Sequence, residues 1–244
     1  MVGSDKTQKI CFASLISHGQ DFLNGAAVLG LSLKKYEPSI DRILLVEEGQ
    51  YGAGHIRMAE SAGWQCRIVH PIRSQPTEFA AERWPYTFTK LHVWNITDYD
   101  KVWYMDADCC AHETGFSWIF NKDFSTVLAC SVTGEAGMKR FNAGVMVLKP
   151  HAEVFAGMHH RITTEPAKST GAKLADQGFL NIYFDHYTQM SNKYNNRHWD
   201  KPVPGVAISH QRPHPWAKKE RPKALIPYWK EWCNFRSEVS RIQI

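Results

Sequence analysis

The sequence predicts an α/β fold with a mainly parallel, Rossmann-like sheet flanked by helices, formed by a single domain over residues 1–244. Three observations carry the prediction. Short apolar runs alternate with stretches of apolar residues at helical spacing, the pattern of right-handed crossovers between parallel strands. Of the 244 residues, 43% are hydrophobic and 22% charged, an ordinary globular composition that excludes disorder, collagen-like repeats and coiled coil. No internal repeat or low-complexity linker divides the chain.

Taken in order, residues 10–16 read as a strand ending at Ser17, His18 and Gly19, and residues 22–36 as a helix. Residues 42–46 form the next strand, 53–62 a helix stopped by Gly63, and 65–69 a strand. Residues 71–85 are irregular and 87–96 helical. Residues 101–105 make an apolar strand that stops at Asp106, with further strands at 126–131 and 142–148. Helices follow at 152–164 and 175–184, then a short strand at 206–209 and a closing helix at 229–241. The paired His159 and His160 lie mid-helix and read as surface or interface residues, the latter admitting a homodimer.

A core of this size buries roughly 70–75% of the unfolded surface and needs no staples. The six cysteines include the adjacent Cys109 and Cys110 but no CxxC knuckle, so reduced thiols in the cytoplasm are expected. The first twenty residues contain no signal-peptide core, and no apolar run approaches the ~18 residues that cross a bilayer. Charge is uneven. Residues 193–230 hold nine Lys or Arg against Asp200 and Glu220, so this segment carries +7 of the net +5 and the remainder sums to −2. A basic segment with Trp199, Trp216, Tyr228 and Trp229 suits a nucleic acid, a membrane surface or an anionic small molecule. Six of the twelve prolines argue against a continuous basic helix, and the lack of a nucleic-acid-reading motif weakens that role; a solvated basic face is the remaining alternative to these readings.

In open parallel sheets, ligands collect outside the carboxyl ends of strands. The strand at 101–105 delivers Asp106, Ala107 and Asp108 to such an end. Two carboxylates separated by one residue can share a hard cation, Mg²⁺ or Mn²⁺, that keeps positions open for phosphate oxygens. Four signals accompany the pair: Thr89-Lys90-Leu91 upstream; Phe141-Asn142-Ala143-Gly144 before an apolar strand; Ala175-Asp176-Gln177-Gly178 opening a helix; and His210 after a strand, followed by Pro213-His214-Pro215-Trp216. In this order, with Gly25 and Ala26 on the first helix, the motifs resemble glycosyltransferase family 8 from Ile10 to Trp216.

The resemblance implies a GT-A fold, a divalent metal, a UDP-sugar donor and transfer of a hexose with retention to a polyol, sugar or glycan acceptor. It makes Asp106, Asp108 and His210 the metal ligands, a set of two carboxylates and an imidazole that leans toward Mn²⁺ over Mg²⁺. It places Leu15, Ser17 and Phe22 at the uridine, and Lys90, Arg83, Ala107, Asn142 and Ala143 along the phosphates and sugar. Asp176 and Gln177 fall beside the anomeric carbon, Asp176 orienting hydroxyls and the Gln177 carbonyl steadying an oxocarbenium-like centre in a same-face transfer. Lys90 and Asp176 are thereby expected at opposite ends of the donor. His214 stands where many members carry a phosphate-binding lysine, with Arg212, Lys218 or Lys219 as substitutes. Residues 196–205 contain no tyrosine for self-glucosylation. A catalytically silent nucleotide-sugar-binding scaffold is the alternative, against which the intact Asp106, Asp108 and His210 set speaks.

Overall fold

The computed structural model describes residues 8–74, 86–133, 139–171, 175–197, 205–210, 214–216 and 226–242. Arg83, Arg212, Lys218 and Lys219 lie outside the described residues, as does half of the basic 193–230 segment.

The chain runs β1 (Ile10–Ile16), α1 (Gln20–Tyr36), β2 (Asp41–Glu47), α2 (Ala53–Ser61), β3 (Gln65–Val69), β4 (Lys101–Met105), β5 (Cys109–Ala111), β6 (Val127–Thr133) and β7 (Lys139–Leu148). It continues through α3 (Ala152–Thr164), the single turn α4 (Ala167–Thr170), α5 (Ala175–Tyr183), β8 (Thr188–Gln189), β9 (Ile208–His210) and α6 (Ile226–Ile242). Seven strands form one sheet in the order β3-β2-β1-β4-β7-β6-β8, and β5 pairs with β9 in a separate two-stranded sheet. The β1, β2, β3 and β4 pairings and β6 with β8 are parallel, whereas β7 runs antiparallel between β4 and β6. The mainly parallel α/β architecture read from the sequence is the one observed.

Alternation along each central strand divides the core between the two faces of the sheet. Phe12 and Ile16 of β1 and Trp103 and Met105 of β4 meet α1 and α2 on one face, where Trp232, Phe235 and Val239 of α6 also pack. Cys11, Ala13, Val102 and Tyr104 point to the other, against Phe88, Trp94, Met158, Phe179 and Leu180. Where both faces are covered, a strand reads as a continuous apolar run, and β1 and β4 are such runs.

Three differences from expectation bear on the site. Thr87–Asn95 is a 3₁₀ helix. Thr89 at its start is drawn off by long-range bonds: its hydroxyl donates to Glu47 at 2.6 Å and accepts from the backbone of Ile72 at 3.1 Å and from Arg73 at 3.1 Å. That knot ties the segment to the end of β2 and fixes the next residue, Lys90. β5 is too short to register as an apolar run, yet it places Cys109 opposite His210. The strand expected at 206–209 is Ile208–His210, so His210 is part of the strand rather than beyond it.

Candidate active site

β4 ends at Met105, and the next residues turn across the carboxyl edge of the sheet. The Asp106 N–H donates to Gly144 on β7 at 2.8 Å and the Cys109 N–H closes the turn onto the Asp106 carbonyl at 3.0 Å. Gly25 on α1 allows this turn to sit against the helix, because a Cβ there would stand 2.5 Å from the Ala107 carbonyl oxygen and 2.7 Å from Trp216. Ala107 is accordingly buried and offers backbone, not side chain.

The turn and β9 bring the expected metal-ligating side chains together. Nε2 of His210 lies 3.2 Å from Oδ1 of Asp108 and 3.9 Å from Oδ2 of Asp106. Oδ2 of Asp108 faces Nδ1 of His214 at 2.9 Å. His210 and Asp108 are buried at 2% exposure each, yet Nε2 of His210 has no hydrogen-bond partner among the described residues. Its other nitrogen, Nδ1, meets Oδ1 of Asn195 at 2.9 Å. With Nδ1 directed at that oxygen, the buried and unpartnered Nε2 stands between two carboxylates, an arrangement that a cation would complete. The residues therefore fit a divalent metal. Cys109, which the sequence reading passed over, also belongs to this cluster: one ligand-type atom each from Asp108, Cys109 and His210 lies within 4.8 Å of the others. No spacing motif could have signalled it, because the juxtaposition comes from the β5–β9 pairing.

Lys90 projects from the 3₁₀ helix to the same edge. Its ammonium donates to Asp176 at 2.5 Å and to the Ala143 carbonyl at 3.2 Å, and lies 3.1 Å from Oδ1 of Asp106. Burial works against its charge, but Asp106 and Asp176 outweigh that and hold the group above the ordinary lysine range. Burial, together with Asp106, raises the Tyr104 phenol far above its ordinary value, so it remains a donor and bonds Asp106 at 2.8 Å. Lys90 and Asp176, expected at opposite ends of a donor, are in direct contact with each other.

Asp176 and Gln177 enter from the first turn of α5, which Asn181 locks to β7. Its side chain accepts from the Phe141 N–H at 2.9 Å and donates to the Phe141 carbonyl at 2.9 Å and to the Gln177 carbonyl at 2.8 Å. Oε1 of Gln177 accepts from Asn142 at 2.8 Å and from the Ala143 N–H at 3.4 Å. Its amide oxygen is therefore already engaged within the protein, and the NH₂ is the end left for a ligand. The sequence reading had assigned the ligand role to the carbonyl.

At the far side, Leu15 is buried and Ser17 half-buried after β1, and Phe22 sits on α1 within an aromatic group. Its ring centroid lies 5.1 Å from His18, 5.7 Å from His214 and 5.1 Å from Trp216. His18 in turn stacks on Tyr86 at 4.3 Å, and His214 lies flat on Trp216 at 4.9 Å. His18 and Tyr86 were not singled out from sequence.

No protein-family model matches the chain. Inositol phosphorylceramide glucuronosyltransferase 1 of Arabidopsis thaliana is 30% identical to it over 188 residues, which is 75% of this chain and 31% of that protein. Glycogenin-1 of Mus musculus is 28% identical over 168 residues, covering 67% of this chain and 47% of that protein. The galactosyltransferase LgtC, solved with donor and acceptor sugar analogues, matches the fold with a TM-score of 0.65 and 16% identity, over 94% of this chain and 95% of that one. The chain belongs to glycosyltransferase family 8. This family 8 chain has the GT-A fold, and it spans about a third of the length of the Arabidopsis relative.

Proposed function

We propose that this family 8 chain is a retaining UDP-sugar-dependent hexosyltransferase requiring a divalent metal, with a sugar, polyol or glycan end as acceptor. One observation carries it: the unpartnered Nε2 of a buried His210 and the carboxylates of Asp106 and Asp108 converge beside Lys90 and Asp176. Asp106, Asp108 and His210 would hold the metal, with Cys109 behind them. Carboxylate oxygens with an imidazole nitrogen lean toward Mn²⁺ over Mg²⁺, and a dominant thiolate contribution would instead favour zinc. When bound, the metal supplies Lewis-acid neutralisation of the departing diphosphate.

The protein's own groups have separate tasks. Phe22, with Leu15 and Ser17, would take the uracil ring and ribose, since an aromatic face stacks on any base. Lys90 holds Asp176 as a fixed carboxylate able to accept from sugar hydroxyls. Gln177, with its carbonyl engaged by Asn142 and Ala143, would donate from Nε2 to the sugar, and Asn142 orients it. Positioning and electrostatics of this kind suit a same-face transfer, in which no protein group needs to attack the anomeric carbon. His214, 2.9 Å from Asp108, would stand at the diphosphate. Arg83 completes the proposed donor contacts.

We further propose one domain, a homodimer admitted by His159 and His160, and a cytoplasmic location. Burial keeps the Cys66 thiol protonated, its pKa raised to about 11, and burial raises Cys11 and Cys110 further, as suits inert thiols in a reducing compartment. No helix among the described residues is long and apolar enough to cross a membrane. A panel of UDP-sugars, including UDP-glucuronate because the Arabidopsis relative is named a glucuronosyltransferase, tests the whole reading. Sugar release should require Mn²⁺ or Mg²⁺ and vanish with chelator and in Asp108→Asn. Turnover undiminished in EDTA would overturn the metal, and a protein that binds UDP-sugars but turns over none of them would leave only the scaffold reading.

A further inference from the structure

A hydrogen-bonded chain of side-chain amides runs from β7 to β9. The Gly144 N–H donates to Oδ1 of Asn142 at 3.1 Å, and Nδ2 of Asn195 donates to the same oxygen at 3.0 Å. A backbone N–H can only donate, so the Asn142 oxygen must face it. That orientation directs Asn142 Nδ2 at Oε1 of Gln177, 2.8 Å away, where the Ala143 N–H is a second unambiguous donor. It equally requires Asn195 to offer its NH₂ to Asn142, which leaves Oδ1 of Asn195 to accept from Nδ1 of His210 at 2.9 Å. Every amide in the chain has one allowed sense, and two backbone donors set it.

We propose that Asn195 is a positioning residue that fixes the His210 tautomer with Nε2 as the metal-binding nitrogen and couples it to the orientation of the Gln177 amide. The proposal rests on the reading of His210 as a metal ligand. Asn195 is 0% exposed, so a ligand can reach it only through His210, Asn142 and Gln177. Reversing its amide would set two oxygens against each other at Asn142 and an NH₂ against the protonated Nδ1 of His210. The cost of an unsatisfied buried polar group opposes that reversal. Metal-ligating histidines depend on such outer partners, whose loss typically lowers metal affinity 10- to 100-fold.

The test is Mn²⁺ affinity, measured by paramagnetic resonance without any sugar nucleotide. Asn195→Ala should bind Mn²⁺ about 10- to 100-fold more weakly than the parent. Asn195→Asp, which keeps an oxygen for His210 but no donor for Asn142, should retain Mn²⁺ while turnover on the sugar nucleotide falls. A folded Asn195→Ala with parental Mn²⁺ affinity overturns the proposal, because a merely structural residue would lower the melting temperature and leave this constant unchanged. Should that variant not fold, the parent protein decides. With Cd²⁺ bound and histidines labelled with ¹⁵N, coordination through Nε2 with a proton on Nδ1 supports the proposal, and coordination through Nδ1 overturns it. Normal metal behaviour in a protein that turns over no UDP-sugar would sink the transferase reading alone.

Discussion

The ammonium of Lys90 lies 2.5 Å from a carboxylate oxygen of Asp176 and 3.1 Å from one of Asp106, so one buried cation joins α5 to the turn after β4. The side chains of Lys90 and Asp176 are only 7% and 11% exposed. Removing one member of such a pair strands the other charge in a poorly solvated site, at a cost of about 3–5 kcal/mol. Lys90→Met and Asp176→Leu should each destabilise on that scale in urea, and the double variant should lose less than the two together. Additive losses would mean that the two residues act independently.

The same contact changes what kinetics should show. A Lys90→Met variant frees Asp176, so sugar positioning and phosphate binding should fail together rather than one at a time. The readout is kcat with the intact donor beside calorimetry with UDP alone. Parental kcat in a variant that binds UDP weakly would contradict the coupling.

Gly144 sets a strict distance between β7 and the side chains proposed to hold the metal. A Cβ there would stand 2.3 Å from Cε1 of His210 and 2.7 Å from Oδ2 of Asp106. His210 is buried in a strand and Asp106 is held by Tyr104 and Lys90, so neither has a free direction in which to yield. Gly144→Ala should lose about 1–3 kcal/mol of stability through overpacking and bind Mn²⁺ at least about tenfold more weakly, in the range typical of disturbed ligand shells. Parental Mn²⁺ affinity would show that the metal does not occupy the space between these side chains.

What was legible in the sequence is what local pattern determines. Apolar runs on β1 and β4 and the acids after Met105 are read directly from neighbouring residues, and the order of motifs located Asp106, Asp108 and His210 on one edge. Contacts between distant segments were not legible. Lys90 and Asp176 are 86 residues apart, and nothing in either motif indicates that one side chain bonds the other. Cys109 joined the ligand cluster only through a three-residue strand, and Asn195 entered only through its link to Asn142, 53 residues away. Gln177 lies at the opening of α5 as its motif indicates, but the sense of its amide depends on the Ala143 N–H, which sequence does not orient.

Glu231 of α6 accepts from Tyr36 on α1 and faces Nδ1 of His112 at 2.6 Å, while Nε2 of His112 meets Ser209 of β9 at 2.7 Å. Burial pushes the Glu231 carboxyl up, but the bonds from His112 and Tyr36 and the Lys35 charge reverse this and bring it from 4.5 down to about 2. A carboxylate whose pKa is depressed by folding stabilises the native state above its unfolded pKa. That contribution is lost as pH falls through the folded value. The stabilisation should therefore be complete above about pH 5 and drain away toward about pH 2. Glu231→Gln removes it at every pH, so the gap in melting temperature between parent and variant should be widest near neutrality and shrink across that acid window. Because the carboxylate is partly exposed, salt should narrow the gap near neutrality. A gap of constant size from about pH 7 to about pH 2.5 would show that Glu231 contributes through packing and not through its charge.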